Sequence, residues 1–215
     1  MTITVEPSSL SLNDVHRLLK LQKQANGLFT DYLTLEPLTE FEQQDLSRIS
    51  NDFERYLAAG KISEGMVKFF TIAPLMRLAG FYDIPIRLTM EDVVGIAVED
   101  EDKIIKGRMD ILAVNQAEAI TTPPFWVLVI ETKNSAIDVF EGVPQLLTYA
   151  FKSLEEQSSV WGLVTNGLRY QFVYLKQSNP PIYQLMPSLS LNETQSSTVL
   201  LQVMKAICEL PGFSL

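Results

Sequence analysis

Phe125-Trp126-Val127-Leu128-Val129-Ile130 runs without interruption into Glu131-Thr132-Lys133. Six consecutive apolar residues of β-favouring type suit a strand buried on both faces of a sheet. Residues two apart on a strand share a face, so Glu131 and Lys133 are neighbours while Thr132 points away. Charged groups at the end of so apolar a strand need partners, because unpaired burial costs several kcal/mol. Asp110, within Gly107-Arg108-Met109-Asp110-Ile111-Leu112-Ala113-Val114, fits as a carboxylate on the adjacent strand. Two carboxylates brought together repel, and a divalent cation would relieve that repulsion. Mg²⁺ suits one or two carboxylates, with water and substrate phosphate completing its shell. Lys133 would then orient an attacking water or stabilise charge on the phosphoryl group in the transition state. The same residues also read as a purely structural polar cluster at a strand end.

The pattern around this strand is that of a mixed α/β chain. A helix is expected over about residues 13–24. A second begins at the capping box Thr39-Glu40-Phe41-Glu42, carries Leu46, Ile49, Phe53, Tyr56 and Leu57 at helical spacing, and stops at Gly60. A third runs from Ser63 to about Gly80, with Met66, Phe69, Phe70 and Ala73 on one face and a kink at Pro74. Strands are expected over residues 84–98 and 104–114, then the buried run. A helix follows over about 143–154, with Leu147, Ala150, Phe151 and Leu154 toward the sheet. Gln145, Tyr149 and Lys152 fall on roughly the opposite side, which by periodicity alone reads as a solvated face. Strands at 160–165 and 169–175 flank Asn166-Gly167, a hairpin signal in which Gly supplies the positive φ. A short strand at 182–186 and a helix at about 194–210 close the chain. The expected organisation is a mixed β-sheet flanked by helices with a helical crossover, residues 1–60 forming an N-terminal helical extension and 61–215 the main domain, together one compact unit.

Composition narrows the class. The chain has 215 residues, enough for one well-buried core, with 47% hydrophobic and 20% charged residues. One cysteine, Cys208, excludes an internal disulfide. No basic-then-apolar leader opens the sequence and no run is long enough to span a bilayer, so a cytoplasmic, membrane-free protein is expected. The net charge of −9, from 17 basic and 26 acidic residues, opposes non-specific nucleic-acid binding unless the cations gather on one face. A homo-oligomer would pool such faces.

Taken together, Gly-x-x-Asp on one strand, Glu-x-Lys on the next and Gln-x-x-x-Tyr on a helix resemble the PD-(D/E)XK nuclease superfamily. The stretches GRMDILAV, VLVIETKNS, PQLLTYA and WGLVTNGLRYQF are similar in order and spacing to RecB-type nucleases and to the N-terminal nuclease domain of type I restriction endonuclease R subunits. The resemblance covers residues 60 to 175, about half of the chain. It implies a restriction-endonuclease-like fold and Mg²⁺- or Mn²⁺-dependent hydrolysis of DNA phosphodiester bonds, in restriction or defence against mobile elements. By family role Asp110 and Glu131 would hold the metal, with the Thr132 backbone carbonyl as a third ligand, and Lys133 would be the catalytic lysine. Gln145 would support the site or the DNA with Tyr149 as its companion, and Glu64 on the early helix would complete the set. Without the resemblance, Glu64 reads as a partner of Lys68 and of its helix N-terminus. Met109 stands where the family name has proline.

No Walker A loop is present: Arg55 occupies the first glycine position and Ile62 follows Gly60-Lys61. If the chain works in a type I restriction system, motor and sequence recognition are expected from elsewhere, protein partners being one source. His16, the sole histidine, reads as a helix-surface residue and leaves His-based triads unsupported. A non-catalytic binding or assembly module on the same fold is the alternative.

Overall fold

The computed structural model describes residues 3–98, 103–116 and 125–210. The buried run forms a strand, Phe125–Thr132, that extends through Glu131 and Thr132. In chain order it is β7. It follows β1 (Ile3–Val5), α1 (Leu12–Leu18), β2 (Gln22–Lys23), α2 (Glu40–Ala58), α3 (Glu64–Val67), α4 (Ala73–Leu78), β3 (Ile86–Met90), β4 (Val93–Val98), β5 (Lys103–Arg108) and β6 (Ile111–Asn115). After it come α5 (Val143–Ser153), β8 (Ser159–Thr165), β9 (Arg169–Lys176), β10 (Ile182–Leu185), β11 (Leu189–Ser190) and α6 (Thr194–Cys208).

The main sheet has the order β2-β10-β9-β8-β7-β6-β3, with β11 against β9, and is mixed: β7 and β8 run parallel across the α5 crossover, and β6, β3 and β9 pair antiparallel. Burial on both faces explains the unbroken apolar run. Leu128 and Ile130 enter a core formed with α2, α4 and α6, while Val129 enters one formed with α1 and α5. Where β6 meets β7, Ala113 pairs with Leu128 and Val114 with Trp126. Val127 is thus the extra residue of a bulge, which puts it on the same side as Leu128 and turns Trp126 to the other.

The expected helical crossover and Asn-Gly hairpin are present, and Thr39 caps α2 through Glu42 as expected. Four segments differ from expectation. The first helix ends at Leu18, because Lys20 turns the chain at φ +54° and residues 22–23 join the sheet edge beside β10. Residues 84–98 divide into β3 and β4 at Glu91, which has φ +59°. Residues 104–114 are two strands: β5 belongs to a small separate sheet, β1-β5-β4, and the chain breaks at Met109-Asp110 to enter β6 of the main sheet. The third helix is interrupted by a π-helical turn over Lys68–Ile72, in which the Ala73 N–H donates to the Lys68 carbonyl, just before Pro74, which has no N–H. Its buried face is Val67, Thr71, Ile72, Leu75 and Met76, not the expected one; Phe69 is 69% exposed. The N-terminal 60 residues supply β1 and β2 as well as helices, and α2 packs on α6. No described helix is long and apolar enough to cross a membrane.

Candidate active site

Three elements converge on one end of the main sheet. β6 begins immediately after Asp110, β7 ends with Glu131 and Thr132, and α5 starts nearby after a 3₁₀ turn. In the antiparallel register Ile111 lies opposite Ile130, so Asp110 arrives opposite Glu131, as the spacing predicts. Their side chains nevertheless find different partners. Asp110 Oδ2 accepts hydrogen bonds from the Thr132 N–H at 2.7 Å and the Thr132 hydroxyl at 2.5 Å. Asp110 Oδ1 accepts from Lys68 Nζ at 2.6 Å. Glu131, only 3% exposed, accepts from Lys133 Nζ at 2.8 Å through Oε1. Strand alternation sets Lys133 beside Glu131 on the α5 side and the Thr132 hydroxyl on the other, while the Asp110 charge stays close enough to act on Glu131.

Lys133 Nζ also donates to Gln145 Oε1 at 2.9 Å, and Gln145 Nε2 donates to the Tyr149 hydroxyl at 3.2 Å. A continuous chain therefore runs from Glu131 through Lys133 and Gln145 to Tyr149. The solvated-face reading of this side of α5 fails for Gln145 and Tyr149, while Lys152 stays at the surface paired with Glu155. Tyr149 is 2% exposed, because the small sheet covers that face of the helix. Only a glycine fits where β5 passes: a Cβ at Gly107 would lie 2.8 Å from the Tyr149 hydroxyl and 2.8 Å from Pro7. Burial pushes the Tyr149 hydroxyl up to about 12, so it keeps its proton across the physiological range.

Burial, the Asp110 charge and, to a smaller extent, the Glu64 charge push the Glu131 carboxyl up to about 7, against the pull of Lys133. Its second oxygen, Oε2, is buried without a hydrogen-bond partner. Glu64 itself is exposed in the first turn of α3 and makes no hydrogen bond or ion pair with Lys68, which turns instead to Asp110 and, at 3.7 Å, to Glu91. Lys68 and Glu91 are the residues that the sequence pattern did not single out. A lysine four positions after a glutamate on a helix reads as its i,i+4 partner, and no local signal reports an aspartate 42 residues away. His16 is part-buried, its Nε2 2.9 Å from the Tyr183 hydroxyl on β10. Among the described residues, no three His, Cys, Asp or Glu side chains are grouped so as to hold a metal by themselves.

The raised Glu131 carboxyl makes stability depend on pH. Its ordinary value is 4.5, so between 4.5 and about 7 the folded chain holds a proton that the unfolded chain has released. Stability from this group is therefore fully present below 4.5 and is lost as pH rises through about 7. At ~1.4 kcal/mol per pKa unit the contribution is roughly 3 kcal/mol. Denaturant midpoints of wild type and Glu131→Gln are expected to diverge between pH 5 and pH 8, with wild type losing more. Parallel curves would show that Glu131 ionises without cost.

No family model matches the chain, and no curated protein matches its sequence.

Proposed function

We propose that the chain is a divalent-metal-dependent nuclease, with a restriction-endonuclease-like sheet, that hydrolyses DNA phosphodiester bonds where β6 begins and β7 ends. The observation that carries this reading is Glu131: a buried carboxylate with one oxygen on Lys133 and the other without any partner, beside the charge of Asp110. The donor set fits a small hard cation. Asp110 and Glu131 would hold it, with the Thr132 carbonyl as a further oxygen, leaving water and phosphate to complete the shell. When bound, such a cation polarises a phosphoryl oxygen and acidifies a coordinated water.

The chain's own groups do the rest. Lys133, held between Glu131 and Gln145, presents an ammonium where negative charge grows on the phosphate. Gln145 fixes that ammonium, and Tyr149 fixes Gln145. Lys106 and Arg108 are exposed on β5, leading to Asp110, and neither pairs with an acidic residue of the described chain. They border a 410 Å³ cleft with Tyr149, Ser8 and Glu6, and give a phosphate backbone two local cations despite the net charge of −9. A motor or sequence-reading partner is the further component that restriction would require.

One observation favours the non-catalytic alternative: Asp110 is already neutralised by Lys68. Titrating Mg²⁺ and Mn²⁺ into wild type and Asp110→Ala by calorimetry, then incubating both with supercoiled, linear and single-stranded DNA, separates the two readings. Metal binding and nicking by wild type, both lost in the variant, are expected. A wild type that binds no metal and leaves every DNA form intact would favour the binding module.

A further inference from the structure

Lys68 lies where a cation serving Asp110 would have to act. Asp110 Oδ2 is taken up by two hydrogen bonds from Thr132, which leaves Oδ1 as the oxygen free to turn toward another cation. Lys68 Nζ sits 2.6 Å from that oxygen, and both side chains are mostly withdrawn from water, 17% and 16% exposed. The placement is built into the backbone. The π-helical turn begins at Lys68 and keeps Val67, Thr71 and Ile72 in the core while the Lys68 side chain reaches across to the sheet. On the opposite side Glu91, in the left-handed conformation at φ +59°, brings a second carboxylate to 3.7 Å from the ammonium. The Glu91 N–H is tied to the Asp110 carbonyl at 3.4 Å and the Met109 N–H to the Asp92 carbonyl at 2.9 Å, so the β3–β4 turn and Asp110 are fixed relative to each other.

From this geometry we propose that Lys68 is the resident counter-ion of Asp110, and that a divalent cation is held by Asp110 only when the Lys68 ammonium is displaced. The inference rests on the metal-site reading above. Two cations on one carboxylate oxygen repel strongly at this low exposure, so the ammonium and the metal compete for Oδ1. Glu91 gives the displaced ammonium a partner close at hand, which keeps Lys68 from being stranded. Lys68 thus sets the affinity of the site as a positioning residue and takes no part in bond breaking.

The test is calorimetric titration of Mn²⁺ and of Mg²⁺ into the full chain carrying Lys68→Met, which keeps the apolar stem and deletes the charge. Lys68→Gln serves as the second neutral variant should methionine fail to fold, and Lys68→Arg keeps the charge. Both neutral variants are expected to bind metal roughly tenfold or more tightly than wild type, the direction that removing a like charge in contact demands. Lys68→Arg should stay at the wild-type level, and adding Asp110→Asn to either neutral variant should abolish the gain. Equal affinity in wild type and the neutral variants, with binding still lost in Asp110→Asn, would overturn the role of Lys68 and leave the metal site standing. Absence of binding in every variant would remove the metal site and the competition with it.

Discussion

Lys133→Met is expected to lower metal-dependent DNA cleavage by on the order of 10³-fold, the scale of losing one pre-aimed electrostatic group in a partly desolvated site. The ammonium is positioned by two acceptors, Glu131 Oε1 and Gln145 Oε1, and is 16% exposed, so little reorganisation is needed for it to meet a phosphate. Methionine keeps a similar side-chain volume and carries no charge. The loss should fall on kcat, because substrate contacts elsewhere remain. Gln145→Leu leaves the ammonium in place but removes one of its two fixed acceptors, and a smaller loss, about tenfold, is expected from misorientation alone. The pH profile separates chemistry from structure. Deleting Lys133 removes the group that holds the Glu131 carboxyl down, so in Lys133→Met the residual activity should shift its acid limb to higher pH. Equal losses in the two variants would reduce Lys133 to a group that only orders the site, and an unmoved acid limb would show that Glu131 ionisation does not set it.

How far the sequence reveals this arrangement depends on how local each determinant is. β7 is legible because a strand buried on both faces must be apolar at every position, and Phe125 to Ile130 meets that demand without help from elsewhere. The α5 crossover and the β8–β9 hairpin are legible for the same reason, through amphipathic spacing and an Asn-Gly turn. Glu131 and Lys133 follow from strand periodicity and Gln145 only from the resemblance, and the three do meet. The break between β5 and β6 is different. Residues 104–114 read as one continuous β-favouring stretch, and only the pairing of β5 with β4 and with β1, some 100 residues earlier, assigns its first half to another sheet. The burial of Tyr149 escapes the sequence for the same reason, since the small sheet that covers it is invisible to the helical period of α5. The Lys68–Asp110 pair was hidden twice, by sequence distance and by a π-helical turn that shifts the side-chain order of its helix. Local patterns thus report elements and faces. Contacts between the two sheets and the helices that span them come from the tertiary fold.

Gly167→Ala should destabilise the protein by about 3 kcal/mol or more, from two additive sources. Gly167 sits at φ +89°, where a residue with a Cβ pays ~1 kcal/mol or more for the left-handed region. A Cβ built there would also lie 2.3 Å from Cζ of Phe53, a ring that is fully buried between α2 and the sheet. Overpacking of this kind costs ~1–3 kcal/mol, because either the ring or the turn must move. The turn resists movement. Asn166 Oδ1 accepts from the N–H groups of Leu168 and Arg169, and Asn166 Nδ2 donates to the Ile137 carbonyl in the loop that follows Lys133. Thr165 Oγ1 accepts from the Gly167 N–H and donates to the Arg169 carbonyl. Substitutions divide the two costs. Gly167→Asn relieves much of the conformational penalty, since asparagine tolerates positive φ, but meets the same ring and should remain well below wild type. Phe53→Leu opens space under the turn and is destabilising alone. Combined with Gly167→Ala it should cost less than the sum of the two, a coupling of ~1 kcal/mol or more in denaturant titrations. Strict additivity would mean that the ring is not what forbids a side chain at 167, leaving the backbone conformation as the whole reason for glycine. Loss of the coupling together with full stability in Gly167→Ala would show that the hairpin shifts freely against α2, and that its tie to Ile137 does not hold the Lys133 loop in place.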